Sequence, residues 1–185
     1  MIAAADAAPL LERARRILVI GCSGSGKSTL SRVLAGRLDL PYISMDREFF
    51  WLPGWVLRER SQIRRMVAEA AAGERWIMDG TSPGTLDLRL PRADCVIWLR
   101  MPRLLCIARV LRRRIRHSGE SRPEMAPGCP EKIDREFLSY IWNFERTETP
   151  EIGAALAEHG PDMPVLTLRS PSEVRSLLAR LERPL

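Results

Sequence analysis

The sequence predicts an α/β fold in which helices cover both faces of a five-stranded parallel sheet, so that the domain has three layers. Short apolar runs of strand length alternate with longer segments whose apolar residues recur at helical spacing. One run, Cys95–Leu99, is apolar throughout, as is typical of a strand that is buried on both faces. A glycine-rich turn joins the first strand to the first helix, which is the kind of unit from which parallel sheets are built.

Length and composition indicate a single domain over 1–185. The 185 residues suffice for one well-packed core, and 45% apolar with 28% charged residues is ordinary for a globular protein. We expect residues 1–14 to be a frayed leader, because they lack the basic start and continuous apolar segment of a secretory signal. No run reaches the length of a membrane span, and the four cysteines form no C-x-x-C pair. These features favour a cytoplasmic protein with reduced thiols and no membrane partner.

Each element is predicted from its local pattern. The first helix repeats leucine and valine at helical spacing, and Gly73 ends the second helix. Pro102 opens the third helix, where its missing N–H costs little. Three prolines and two glycines make 117–130 a loop, which we interpret as a lid. In chain order, the predicted strands are 16–20, 41–45, 75–78, 95–99 and 165–168, and the predicted helices are 27–38, 58–72, 102–116, 131–144, 150–159 and 171–181.

Residues 21–29 read GCSGSGKST and match the pattern G-x-x-x-x-G-K-[ST] of a phosphate-binding loop in full. Gly21, Gly24 and Gly26 can adopt backbone angles closed to residues with a Cβ, so successive N–H groups can curl around a phosphate chain. Lys27 adds a mobile positive charge, and the hydroxyl of Ser28, at a helix start, can ligate Mg²⁺. The sequence therefore predicts an ATP and Mg²⁺ site formed by Gly21, Ser23, Gly24, Ser25, Gly26, Lys27, Ser28 and Thr29.

Carboxylates follow two of the other predicted strands. Asp46 comes after the second strand and Asp79 after the third. Ligands of parallel sheets bind beyond the carboxyl ends of the strands, so both residues are candidates for the site. Asp79 stands where proteins with a phosphate-binding loop commonly carry the carboxylate that holds Mg²⁺ or its bound water, and the alternative is a helix-cap or turn residue before Gly80. Asp46 either contacts a substrate or caps the turn that follows it.

The net charge of +6 is concentrated after the fourth strand, where eight arginines lie between 100 and 122. Such a run is compatible with a solvated helix face, a nucleic-acid patch or a clamp for nucleotide phosphates. The phosphate-binding loop favours the clamp.

Further segments form a combination that is specific to a family. They are the aromatic stretch 50–55 after Asp46, the tripeptide 78–80, and the segments 84–90, 92–94, 109–114, 122–125, 128–130 and 142–144. With these segments, nearly the whole chain from 16 to 181 resembles the adenylate-kinase-like P-loop kinases, and within them the group named DNA topology modulation proteins. The resemblance implies a P-loop NTPase sandwich of the nucleoside/nucleotide-kinase type with an arginine-bearing lid.

The resemblance also implies roles for arginines. Arg109 occupies the place of a lid arginine that lies against the adenine, and Arg113 that of an arginine that reaches the phosphates. Their spacing of four puts both on one helix face. Arg169 belongs to a segment that borders the adenine after the fifth strand. The remaining arginines of the helix are interpreted as a solvated face: Arg112, Arg114 and Arg116.

The acceptor is expected beyond the second and third strands, with Asp46, Trp51, Trp55 and Arg89 as the predicted substrate-binding residues. Trp51 and Trp55 favour a loop that closes over a small acceptor, and the alternative for each is burial in the core. Arg89 is flanked by leucines and either pairs with Asp87 or reaches an acceptor anion.

Together these residues predict transfer of the γ-phosphoryl group of ATP to a small-molecule acceptor, with nucleosides and nucleotides among the candidates. Lys27 and Arg113 neutralise the transferring charge, and Asp46 orients or deprotonates an acceptor hydroxyl, or only binds an acceptor phosphate. After Asp79 and Gly80 the chain continues with residues 81–84, TSPG, and lacks the Phe-Pro-Arg that adenylate kinases have there. This difference disfavours AMP as the acceptor.

Two alternatives stay open. In a nucleic-acid-associated P-loop ATPase, the basic lid contacts a phosphate backbone and water is the acceptor. Against it, the aromatic residues do not interleave with the arginines as a stacking platform requires. The other alternative is a protein that binds nucleotide without turnover.

Overall fold

The structure, a computed structural model, describes residues 7–116, 128–129 and 133–181, and it confirms the predicted three-layer α/β sandwich. The strands are β1 (Arg16–Gly21), β2 (Tyr42–Ser44), β3 (Trp51–Leu52), β4 (Val56–Leu57), β5 (Trp76–Asp79), β6 (Cys95–Leu99) and β7 (Val165–Leu168). The helices are α1 (Ala7–Arg13), α2 (Lys27–Leu38), α3 (Arg60–Ala71), α4 (Leu86–Arg89), α5 (Arg103–Arg116), α6 (Arg135–His159) and α7 (Pro171–Arg180).

The main sheet has the order β2-β5-β1-β6-β7, and each strand is parallel to its neighbours. In β1, the residues from 17 to 20 have no exposed surface, because helices cover both faces of the sheet. The carboxyl ends of parallel strands meet at one edge. At that edge, Asp79 is in register with Val19 on one side and with Ser44 on the other. The loop that follows β1 therefore emerges beside Asp79.

The N-terminal segment is ordered where the structure describes it, so the frayed leader expected over 1–14 is wrong from residue 7 onward. α1 lies against α7, and Ala7 and Leu11 are only 0 and 1% exposed. A seven-residue helix is too short to be stable alone, so its stability comes from burial against distant parts of the chain. No local pattern reports that burial.

The two helices predicted over 131–144 and 150–159 are one continuous helix, α6, with Pro150 inside it. A proline in a helix interior removes one backbone hydrogen bond and typically costs about 3 kcal/mol. Buried apolar residues lie on both sides of it, Phe144 before and Ile152 after. Continuing the helix keeps both side chains in the core, and their burial offsets the cost of the proline.

The segment after β2 contains structure that the sequence analysis did not assign. Asp46–Phe50 forms one wide helical turn, and β3 and β4 then form a two-stranded antiparallel hairpin. Gly54 and Trp55 turn the hairpin with φ of 80° and 63°. Strands of two residues show no periodicity, so the pattern could not predict them.

The lid expected at 117–130 lies outside the described residues except for Gly128 and Cys129. Within the described ranges, the helices include none that combines the length and apolarity needed to cross a membrane.

Candidate functional site

A cleft of about 610 Å³ opens at the carboxyl edge of the sheet, between the start of α2, the chain after β2, and the helices α5 and α7. Gly21, the last residue of β1, is buried beneath it. The predicted site residues that line the cleft are Ser23, Gly24, Ser25, Gly26, Lys27, Ser28, Thr29, Asp46, Asp79, Arg109 and Arg113. The structure thus brings the phosphate-binding loop, both carboxylates and two arginines to one space.

The loop wraps around the start of α2. Gly24 has a φ of 78°, and a methyl group there would overlap the carbonyl oxygen of Cys106 on α5, so only glycine fits. Gly26 precedes the first residue of α2 with a φ of 102°, and no side chain caps this helix end. The first N–H groups of α2 and the positive end of its dipole are therefore left to bind an anion.

Lys27 and Arg109 hold the loop from two sides. The Nζ of Lys27 donates to the carbonyl oxygen of Cys22 at 3.0 Å, so the ammonium spans the loop. The Nη1 of Arg109 donates to the carbonyl oxygen of Ser25 at 2.9 Å and to that of Gly24 at 3.4 Å. Arg109 thus supports the backbone of the loop, and its contact with an adenine stays a prediction.

The other described arginines of α5 divide between the cleft and the solvent. Arg113 is half-buried and lines the cleft, as predicted for a residue near the phosphates. Arg112 is exposed and also lines the cleft, so it is more than part of a solvated face. Arg114 is exposed and does not line the cleft, in agreement with that interpretation.

Asp79 and Ser28 form the corner of the cleft that fits Mg²⁺. Asp79 is only 3% exposed, and the hydroxyl of Ser28 hydrogen-bonds with it. Burial raises the pKa of Asp79, while Ser28 and the charge of Lys27 oppose that rise. The described residues include no group of three His, Cys, Asp or Glu side chains that could hold a metal by themselves. One carboxylate and one hydroxyl beside a phosphate loop suit Mg²⁺ that also binds phosphates and water.

Asp46 faces the same space from the neighbouring strand. It is exposed, and it follows Met45, which is fully buried. A Cβ added at Gly80 would lie 2.6 Å from the Cβ of Met45, so the chain after β5 passes close to the chain after β2. The charge of Asp46 contributes to the raised pKa of Asp79, as expected for carboxylates across one cleft.

Arg89 does not reach the acceptor side of the cleft, which corrects its assignment to substrate binding. Its side chain has no exposed surface. The predicted pairing with Asp87 is also wrong, because Asp87 binds Arg64 at 2.6 Å. The guanidinium of Arg89 instead donates to the carbonyl oxygens of the loop after β5, at 2.6 Å to Gly80, 2.5 Å to Thr81 and 3.0 Å to Ser82.

Trp51 and Trp55 pack against each other and do not line the cleft, which revises their predicted contact with the acceptor. Their ring centroids are 5.0 Å apart in an edge-to-face arrangement. Both rings pack on Cys129, which is 1% exposed, and the backbone N–H of Trp55 donates to its Sγ at 3.4 Å. The two tryptophans therefore join the β3–β4 hairpin to residues 128–129.

The end of the cleft away from the carboxylates is formed partly by α7. Pro171, Val174 and Arg175 line it, whereas Arg169 is exposed and does not. The backbone N–H of Arg169 donates to the Glu173 carboxylate at 2.6 Å, where it helps to begin the helix. Arg169 is therefore replaced by Arg175 as the candidate for this end. Arg175 lies four residues after Pro171, so both are on one helix face. This spacing could have identified Arg175 as a cleft residue from the sequence.

Tyr42 is a second residue that the sequence analysis missed. Its Oη donates to Oδ2 of Asp79 at 3.2 Å. Tyr42 and Ser44 are two apart in β2, so they point to the same side of the sheet. This alternation in β2, beside β5 with its terminal Asp79, could have identified Tyr42 as a site residue from the sequence.

Comparison with known proteins shows similarity at the level of the fold. No protein-family model matches the chain, and no curated protein matches it. A shikimate kinase from Acinetobacter baumannii in complex with shikimate is similar with a TM-score of 0.61 and 14% identity, over 94% of both chains. A shikimate kinase from Bacteroides thetaiotaomicron has a TM-score of 0.53 and 18% identity, over 91% of this chain and 96% of that one. A gluconokinase from Sinorhizobium meliloti has a TM-score of 0.51 and 17% identity, over 90 and 91%. The chain therefore has the fold that shikimate kinase and gluconokinase share, that of the P-loop kinases.

Proposed function

We propose that the protein is an ATP-dependent phosphotransferase that acts on a small molecule with a hydroxyl group. The observation that carries this proposal is the single cleft in which Lys27 and Ser28 face both Asp46 and Asp79. Phosphoryl transfer requires bound phosphates, neutralised charge and a positioned acceptor, and these side chains supply a group for each requirement. The names of the structural neighbours, one of which holds shikimate, agree with it.

The residues divide the work of the proposed reaction. Lys27 exchanges its bond to the Cys22 carbonyl for the terminal phosphate, and Arg113 adds a second positive charge. Ser28 and Asp79 would hold Mg²⁺, which would neutralise charge on the terminal phosphates when it is bound. Asp46 accepts a hydrogen bond from the acceptor hydroxyl and thereby orients its oxygen. It takes the proton as the new bond to the γ-phosphorus forms, while the bond from that phosphorus to the β–γ bridging oxygen breaks and ADP leaves.

The charges on the acceptor side favour a hydroxyl over a phosphate as the attacking group. Asp46 is exposed there beside Asp79, and Arg89, the expected partner of an anionic acceptor, is directed at backbone carbonyls. An anion placed beside the exposed carboxylate of Asp46 would be repelled unless a cation compensated it. A hydroxyl donates a hydrogen bond to a carboxylate and meets no such repulsion.

The test is phosphorylation of defined acceptors with ATP labelled in its γ-phosphate. The panel contains shikimate, gluconate, nucleosides and other small hydroxy compounds, with nucleoside monophosphates as a separate arm. A labelled hydroxy compound supports the proposal. Labelled nucleoside diphosphates alone would refute the hydroxyl acceptor, and release of inorganic phosphate in every arm would refute phosphotransfer.

Asp46→Asn is expected to lower kcat by about 10² to 10⁴-fold, because the amide keeps the shape of the carboxylate but cannot accept the proton. Affinity for an ATP analogue should change little, since the phosphate-binding loop is untouched. Steady-state kinetics with the identified acceptor and calorimetry with the analogue check both expectations. Asp39→Asn is the matched control, because Asp39 is 97% exposed and has a φ of 51°, which asparagine tolerates. An unchanged kcat would assign Asp46 to capping the turn after β2.

Trp55→Ala is expected to raise the KM for the acceptor several-fold and to leave the KM for ATP unchanged. The reason is that the hairpin follows the turn containing Asp46, and the ring of Trp55 attaches it to Cys129. The ring is half-buried in a small cluster separate from the main core, so we expect Tm to fall by only a few degrees. Equal loss of transfer and of slow ATP hydrolysis, with a large fall in Tm, would instead assign Trp55 to the core.

A nucleic-acid-associated ATPase is the second candidate, because Arg112 and Arg114 are both exposed on α5. Stimulation of ATP hydrolysis by DNA, lost when both arginines are replaced by alanine, would favour it. Membership in the group of DNA topology modulation proteins stays a prediction. So does a cytoplasmic location, with which the four free cysteines agree.

A further inference from the structure

Tyr42 lies in β2, at the edge of the main sheet, and its phenol extends to the end of the neighbouring strand β5. Its Oη donates to Oδ2 of Asp79 at 3.2 Å. The side chain is half-buried, and the hydroxyls of Ser28 and Ser44 lie close to the phenol oxygen. The phenol therefore connects three backbone segments: the edge strand, the end of β5 and the first turn of α2.

Ser28, Tyr42 and Asp79 form a triangle of polar side chains, in which the phenol of Tyr42 donates to Asp79 and the single proton of the Ser28 hydroxyl lies within reach of both neighbours. Two corners of the triangle are the groups that fit Mg²⁺. The third corner is the phenol of Tyr42. A phenol is a poor ligand for Mg²⁺, but its hydrogen bond fixes the direction in which the Asp79 carboxylate points. A buried carboxylate with one oxygen held in this way keeps its other oxygen in a defined direction.

We propose that Tyr42 is a positioning residue that orients Asp79 toward Mg²⁺ bound with the nucleotide. The inference rests on the proposed nucleotide site but needs no knowledge of the acceptor. It assigns Tyr42 no contact with ATP or with the metal. Its effect passes through the Asp79 carboxylate, which without the phenol is free to rotate away from the direction that this hydrogen bond imposes.

Tyr42→Phe tests the proposal, since it removes only the hydroxyl. We expect the affinity for a non-hydrolysable ATP analogue without metal to stay within about twofold of wild type. The gain in affinity that Mg²⁺ brings should fall about 10- to 100-fold, the usual effect of removing a group that orients a metal ligand. Isothermal calorimetry in Mg²⁺ and in EDTA measures both quantities without any turnover. Tyr140→Phe is the control for loss of a phenol hydroxyl that does not contact Asp79, because Tyr140 lies on α6 and its ring packs on Phe137 and Phe144, although the charge of Asp46 reaches its phenol.

A double-mutant cycle with Asp79→Asn shows whether Tyr42 acts through the carboxylate. If it does, Tyr42→Phe has no further effect on Mg²⁺-dependent binding once Asp79 is replaced. Additive losses would overturn the proposal, and so would an equal loss of affinity with and without Mg²⁺, which is the signature of a purely structural role. Failure to find any acceptor would refute the proposed phosphotransfer and leave this binding test unaffected.

Discussion

Lys27→Ala is expected to lower kcat for phosphoryl transfer by about 10² to 10³-fold while leaving the fold intact. The Nζ of Lys27 contacts the Cys22 carbonyl at the edge of an open cleft, so its removal creates no cavity in the core. It does remove a positive charge from the place where the phosphoryl group develops its charge. Losing one such group typically costs about 10² to 10³-fold in kcat, or about 3 to 4 kcal/mol. The measurements are kcat at saturating ATP and Mg²⁺, and Tm by calorimetry.

The control for this variant must remove the same charge elsewhere. Arg65→Ala does so, since Arg65 is exposed on α3 and does not line the cleft. Transfer by Lys27→Ala at the rate of the control would refute the role of the loop in catalysis. If wild type binds ATP tightly but turns nothing over with any acceptor, and Lys27→Ala loses that binding, the protein is a nucleotide-binding protein without turnover.

The features that the sequence predicted well are those encoded within a few neighbouring residues. The loop at 21–29 needs glycines at fixed spacing, because the backbone angles and the approach of α5 exclude a Cβ. Strands buried on both faces need continuous apolar runs, and β1 and β6 have them. Asp46 and Asp79 were predicted to share the cleft because the carboxyl ends of parallel strands share an edge. The structure confirms that both line it.

The features that were missed depend on partners far away in sequence. Whether Arg89 faces an anion or the protein interior is decided by where the loop after β5 runs, and the spacing of residues around Arg89 does not report that path. Trp55 likewise depends on Cys129, which is 74 residues away. α1 is stable only against the finished core. For Arg89 and Trp55 the local pattern identified a candidate residue and tertiary contacts decided its role, whereas for α1 the local pattern gave no signal.

Arg89 has a structural role that extends to the phosphate-binding loop. Burial lowers the pKa of Arg89 to about 9, which still leaves the guanidinium charged at neutral pH. It holds the carbonyl oxygens of Gly80, Thr81 and Ser82. The hydroxyl of Thr81 in turn donates to the Gly21 carbonyl oxygen at 2.7 Å and accepts from the Gly21 N–H at 3.0 Å. The buried charge thus fixes the loop after β5, and that loop fixes the start of the phosphate-binding loop.

Arg89→Met is therefore expected to lower the free energy of unfolding by about 3 to 5 kcal/mol. Methionine keeps part of the apolar stem but leaves the buried carbonyl oxygens without their donor, at about 1 to 3 kcal/mol each before relaxation. In a domain of this size the fall in Tm should be about 10 °C.

Arg92→Met is the matched control, because Arg92 is exposed three residues further on and should leave Tm unchanged within about 1 to 2 °C. Arg89→Lys should lie between the two, since an ammonium supplies the charge but cannot span three carbonyls as the planar guanidinium does. If Arg89→Met keeps the Tm of the control and instead raises the KM for the acceptor, Arg89 belongs at the acceptor site after all. A loss of stability and a raised KM for the acceptor are distinct outcomes. Because Arg89 is 0% exposed, its guanidinium could contact an acceptor only if the loop after β5 first opened.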